Sequence, residues 1–207
     1  SDDLLVPVKP DWESGEVLEE LVGKKIAFRN GWDDSSTYML LNYRDEGYYA
    51  YTPRNYLRTT ISVRAEKMHH GHSDENSIAL FVKDRNILLN DGGYREKLPN
   101  GKYRADIYHN RLVFREGLKS ENAKLFDFLQ DGGYYKKTIT EKLHFQAFEN
   151  LVFSRTRLYN NAPNLIWDRI ITYIKNDDIF IVIDWVSDIS KSNVTIANIW
   201  HTGEVLM

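Results

Sequence analysis

Asn176-Asp177-Asp178-Ile179-Phe180-Ile181-Val182-Ile183-Asp184-Trp185-Val186-Ser187-Asp188 reads as one β-strand between two turns. A turn signal opens it, another closes it, and the residues between, Asp184 apart, are β-branched or aromatic in the manner of a strand. No apolar run in the chain is longer than Ile179–Ile183, far short of the about 20 residues that a transmembrane helix needs. The same texture returns on both sides at short spacing, in Leu151 to Leu158, Asp168 to Lys175 and Asn193 to His201, with Asn160-Asn161-Ala162-Pro163 as another turn.

Further towards the N-terminus, Asn110 to Arg115 alternates. Ser77 to Val82 and Asn86 to Leu89 read as a hairpin across Lys83-Asp84-Arg85. Lys25 to Arg29, the turn Asn30-Gly31 and Ser36 to Tyr43 add two more strands. About a dozen strands at this spacing predict an all-β protein, an antiparallel β-sandwich. One or two short helices are expected beside it: Ser14 to Gly23, with apolar residues at helical spacing and Ser14 as N-cap, and Ser120 to Gln130. Residues 1–24 read as a linker and short helix, and residues 25–207 as the sandwich domain.

Composition supports one globular unit. The 207 residues are 42% hydrophobic and 28% charged, enough for a core without a disulfide or metal staple. Aromatics make up 13% of the chain, which suits pleated, half-buried surfaces and also stacking on sugar rings; Trp167 and Trp185 are expected in the core. A net charge of −3 argues against generic nucleic-acid binding. Cysteine is absent, which removes thiol catalysis and cysteine zinc sites and leaves the compartment open. No Gly-x-Ser-x-Gly elbow, P-loop or Gly-x-Gly-x-x-Gly occurs. The chain opens on Ser1 rather than Met with no signal peptide in view, and reads as a processed form or a piece of something longer.

Chemistry gathers around histidine. Three of the six lie in Met68-His69-His70-Gly71-His72-Ser73-Asp74. In an extended segment His70 and His72 project from one face. Asp91 follows the hairpin, and His109 stands immediately before a strand. Two imidazoles and a carboxylate from neighbouring strand ends suit zinc with an open fourth position; a solvated histidine loop is the plainer alternative. Upstream, Arg54, Arg58, Arg64 and Lys67 stand against the single acid Glu66, with Tyr48, Tyr49, Tyr51 and Tyr56 close by. Such a stretch fits an acidic sugar, or equally a solvated strand edge.

The run His70-Gly-His72-Ser-Asp74-Glu-Asn-Ser77, continued through the hairpin to Asp91-Gly-Gly-Tyr94, resembles the signature of the heparinase II/III-like polysaccharide lyases. Phe28-Arg29-Asn30-Gly31-Trp32-Asp33, His109-Asn110, Asp168-Arg169, Ile183-Asp184-Trp185-Val186 and His201 follow the same pattern, so the likeness covers about Lys25 to His201. The resemblance implies the C-terminal sandwich of an enzyme that degrades acidic, uronic-acid-containing polysaccharide by β-elimination. It implies a structural zinc on His72, Asp91 and His109, with His70 reaching into the catalytic cleft. An ungapped reading sets Asn90 at the aspartate's place; Asp91 takes it if the hairpin is one residue longer. The α/α toroid that carries the family's catalytic tyrosine is not in this sequence, so the domain alone is expected to be inactive or weak. Arg58, Arg64, Arg95, Tyr94 and His201 are the expected substrate contacts, and periplasm or secretion the expected location. The rival readings are a carbohydrate-binding or structural sandwich that keeps the metal loop, and a self-contained metal-dependent hydrolase.

Overall fold

Strands β8 (Leu151–Asn161), β9 (Asn164–Ile174) and β10 (Ile179–Asp188) form a continuous antiparallel meander. The computed structural model describes residues 16–17, 24–43, 72–90, 105–118, 120–124, 127–128, 138–161, 164–188 and 193–203. β10 pairs with β9 from Ile179 opposite Ile174 to Asp188 opposite Leu165. β7 (Thr138–Ala147) joins β8 on the other side, completing a four-stranded sheet in the order β10-β9-β8-β7. Along β9 the residues with odd numbers, Leu165, Trp167, Arg169, Ile171 and Tyr173, are buried, because a strand sends alternate side chains to opposite faces.

A second sheet covers one end of that buried face. It runs β1 (Glu16–Val17), β2 (Lys25–Arg29), β3 (Tyr38–Asn42), β4 (Ser77–Lys83), β5 (Asn86–Asn90) in sequence order. Ile26, Phe28, Met39, Leu41, Tyr43 and Ile78 from this sheet pack on Val152, Ile171 and Tyr173 from the other. Each buried aliphatic side chain contributes about 1.5–3 kcal/mol. The other end of the face is covered by the ribbon β6 (Leu112–Glu116) and β11 (Val194–Asn198), where Leu112 and Phe114 meet Leu158, Leu165 and Trp167.

Polar ties fix the two sheets. The Asp178 carboxylate, at the β9–β10 turn, receives Thr37 Oγ1 at 2.9 Å, Tyr173 OH at 2.9 Å and Lys83 Nζ at 2.6 Å. Lys24 Nζ donates to Thr140 O at 2.7 Å, and Thr140 Oγ1 donates to Tyr43 O. Lys83-Asp84-Arg85-Asn86 closes the expected hairpin, with φ of 48° at Asp84 and 64° at Arg85. Positive φ at both central residues marks a type I′ turn, whose twist matches that of the strands.

Three expectations are corrected. Glu16–Val17, placed in the helix Ser14–Gly23, pair antiparallel with Ile26 and Lys25 as β1; the rest of that segment lies outside the described residues. Ser120–Asn122 is a single 3-10 turn, in place of the start of the helix Ser120–Gln130. Lys124 N donates to Asp127 Oδ2 at 2.7 Å, a side-chain bond that competes with helix continuation. Trp185, expected in the core, is 56% exposed. It shares parity with Ile179, Ile181 and Ile183, all exposed, and so points away from the five-stranded sheet.

Candidate functional site

At the start of β4, the stretch His72 to Asn76 lies across the buried face of the four-stranded sheet. Asn76 adopts φ 60°, a left-handed conformation that asparagine tolerates better than most residues. Thr156 Oγ1 donates to Asn76 Oδ1 at 2.6 Å, and Arg169 Nη1 donates to Asn76 O at 3.0 Å. Asn42 Nδ2 donates to Asp74 Oδ2 at 2.8 Å. This segment is therefore anchored to both sheets.

The second segment runs from the 3-10 turn Asp106–Tyr108 into β6. Arg115 holds the turn from below, its Nη1 and Nη2 donating to Asp106 Oδ2 and Oδ1 at 2.8 Å each, with both residues buried. That bidentate geometry is the strong form of an arginine–carboxylate pair. His109 follows, with its N–H on Asp106 O at 3.1 Å and its ring buried.

Asn110 is the hub of this corner. Its Nδ2 donates to Ile78 O at 2.8 Å, and its own carbonyl accepts Ile78 N at 3.1 Å and Arg169 Nη1 at 2.8 Å. The Asn110 Oδ1 accepts His201 N at 2.6 Å. His201 O in turn accepts Asn90 N at 3.2 Å, so the end of β5 reaches the same corner. His201 Nε2 contacts Ile107 O at 2.9 Å; a carbonyl only accepts, so Nε2 carries the proton.

Beneath the corner lies a buried charged layer. Arg169, fully buried, donates through Nε and Nη2 to Asp184 Oδ1 and Oδ2 at 2.8 and 3.0 Å, and Trp167 Nε1 donates to Asp184 Oδ1 at 2.8 Å. On the opposite face of the sheet, Asp168 is fully buried and takes hydrogen bonds from Arg155 and Arg157. Burial pushes its carboxyl upward, but the bonds from Arg157 and Arg155 outweigh this and hold it below the ordinary range.

The structure brings His72 and His109 together. Their rings meet edge to face, centroids 5.4 Å apart at 65°. With Zn–N of about 2.0–2.1 Å, two imidazoles on one tetrahedral ion place their centroids about 5 Å apart, and the separation of His72 and His109 is of that size. Among the described residues no group of three His, Cys, Asp or Glu is assembled to hold a metal. The expected third ligand, Asp91, lies outside the described residues, as do His70, Arg58, Arg64, Tyr94 and Arg95. Asn90, the alternative third ligand, is exposed at the end of β5. His201 is half-buried in the same corner as His109.

Sequence reasoning gave no role to Asn110, Arg111, Glu75 or Asn76. Arg169 and Asp184 carried one available signal, charged residues at inward positions of two adjacent strands, directly opposite each other in register.

A search of curated proteins gives no match to this chain. The family described as heparinase II/III-like, C-terminal, matches residues 39–204, from β3 past β11 and including both histidine segments. That span takes in the hairpin, the meander and the corner they build, and the chain belongs to the heparinase II/III-like C-terminal domain family.

Proposed function

We propose that this chain is the sandwich domain, residues 25–207, of a polysaccharide lyase that cleaves acidic, uronic-acid-containing polysaccharide by β-elimination. The observation that carries the reading is the edge-to-face meeting of His72 and His109 at 5.4 Å in a chain of this family. His72, His109 and a carboxylate at Asp91 hold zinc in this reading, with Asn90 as the weaker alternative. Bound there, zinc supplies a cross-link between strand ends and orients the loop that carries His70.

β-Elimination needs a base on the C5 proton, cover for the uronate's negative charge and an acid for the leaving O4. His70 serves as base or charge stabiliser, and Arg58, Arg64 and Arg95 pair with the carboxylate. Tyr94 and His201 contact the sugar, His201 through a backbone-fixed ring. The opposite wall of the cleft comes from an α/α toroid of a longer protein, acting in the periplasm or outside the cell. The domain alone is then inactive or weak.

Zinc content of the purified chain, beside His72→Ala, tests the reading. About one zinc per chain, lost in the variant, together with a chelator-dependent fall in melting temperature, is expected. No zinc in either protein refutes the metal site and moves the histidine pair to another role.

A further inference from the structure

We infer that Arg111 is the positioning residue that holds His72 against His109; the inference rests on the zinc reading above and extends it to a residue that touches no metal. Arg111 is buried, and its side chain is 5% exposed. Its backbone N–H donates to His109 O at 2.9 Å. From the same residue, Nη1 donates to Ser73 O at 2.9 Å and to Glu75 Oε2 at 2.6 Å, with the Glu75 side chain 3% exposed. Ser73 follows His72 directly, and Arg111 stands two residues after His109. One residue therefore ties the backbones of both histidine segments, one through its main chain and the other through its guanidinium.

Other atoms of Arg111 are held as well. Nε donates to Leu112 O at 3.1 Å, and the group lies 5.6 Å from the centroid of the buried Trp167 ring. The carbonyl of Arg111 accepts Ile199 N at 3.0 Å, which adds the chain leaving β11 to the same clamp. Planar donors in a rigid fork can serve Ser73 O, Glu75 and Leu112 O together, whereas a lysine ammonium is a single point on a flexible stem. Glu75 pairs with the fork and aims it. Outer partners of this kind set the approach of metal-binding imidazoles, and losing one typically weakens metal affinity about 10–100-fold.

The test uses the 207-residue chain, Arg111→Lys, and the double variant Arg111→Gln with Glu75→Gln, which leaves neither buried charge alone. Zinc affinity is measured by competition with a chromophoric chelator, and cobalt(II) is substituted to record its visible spectrum. Near-ultraviolet circular dichroism and metal-free melting curves report the fold. The expected result is a zinc affinity about 10–100-fold weaker in a folded variant, with a changed cobalt spectrum. A purely stabilising role would lower the metal-free melting temperature and leave affinity and spectrum as in the parent. Parental affinity and spectrum in either folded variant overturn the inference. If the parent chain binds no zinc, the site reading fails first and this role falls with it. If Arg111→Lys does not fold, the charge-neutral double variant decides.

Discussion

Replacing Arg169 by methionine is the sharpest probe of the sandwich interior. The guanidinium is fully buried and makes two bonds to Asp184, one to Asn76 O and one to Asn110 O. Methionine roughly fills the volume, so the cavity left is small. The loss is electrostatic: a mostly buried Asp184 carboxylate loses its cation, and two carbonyls lose a donor. Removing one member of a buried ion pair costs about 3–5 kcal/mol, and Asn110 O keeps Ile78 N as a partner. We expect a loss of about 4 kcal/mol, against a total stability of about 5–15 kcal/mol for a domain. The melting temperature should fall by about 8–16 °C on the scaling for a domain of this size. Urea unfolding followed by tryptophan fluorescence measures it, since Trp167 lies in the same layer. Arg169→Met with Asp184→Asn should recover most of the loss. The charge is then gone, and asparagine Oδ1 still accepts Trp167 Nε1–H. A single variant that costs under about 1 kcal/mol, or a double variant no better than the single, refutes the assignment of the loss to an unpaired buried charge.

Acid should unfold the protein through carboxylates held low by their partners. Burial pushes the Asp178 carboxyl up, but bonds from Lys83, Tyr173 and Thr37 outweigh this and hold it below the ordinary range, as Arg157 and Arg155 do for Asp168. With folded values depressed, the unfolded chain binds protons first as pH falls. Stability is then full above about pH 4 and is lost as pH drops through the lowered values. Urea midpoints across that range should fall with acid and fall less in Asp178→Asn; identical profiles would remove Asp178 from the effect. Gly203→Ala should destabilise by about 1–3 kcal/mol, because a Cβ there would collide with Ile87 O, a backbone atom that cannot step aside. A thermal melt equal to the parent's would contradict the close approach. The two tryptophans on adjacent strands should differ: Trp167→Ala costs about 3–5 kcal/mol, and the exposed Trp185→Ala under about 1 kcal/mol. Equal costs in urea would mean that the burial assigned to the two faces is wrong.

Much of the fold was legible because most strands obey one period throughout. The hairpin of β4 and β5 was legible through its turn, Asp84-Arg85 between two apolar runs, although its pairing shifts register between Phe81 and Val82. β7 was not recognised from sequence, and the reason is local. Its pairing with β8 shifts register between Lys142 and His144, so the alternation of Thr138 to Glu141 does not continue into Leu143 to Gln146. A bulge of this kind breaks the period on which sequence reading depends. β1 was hidden differently. Val17, Leu18, Leu21 and Val22 do have helical spacing, yet Glu16–Val17 complete an edge of the five-stranded sheet, where tertiary pairing overrides local preference. Trp185 was misplaced because a run such as Ile179–Ile183 shows no alternation, and the burial of one face cannot be read from it.

At the site, His72 and His109 were legible because their residue type is rare and their chemistry narrow. Asn110, Arg111 and Glu75 were not, because Asn, Arg and Glu beside a strand normally mean a solvated loop. Here each has a different reason to be inside. Asn110 satisfies Ile78 O and His201 N where no strand neighbour can, and Arg111 and Glu75 neutralise each other while serving Ser73 O. A sandwich held by apolar contact alone would leave its strand-end loops to find their own positions. In this molecule the loops are bonded into the layer beneath them: Arg169 reaches Asn76 and Asn110 together, and each lies within a few residues of one histidine. The geometry that pairs His72 with His109 is thus a property of the domain interior. On the zinc reading proposed above, Arg169→Met should therefore weaken metal binding as well as stability, and unchanged affinity in the folded fraction of that variant would separate the two.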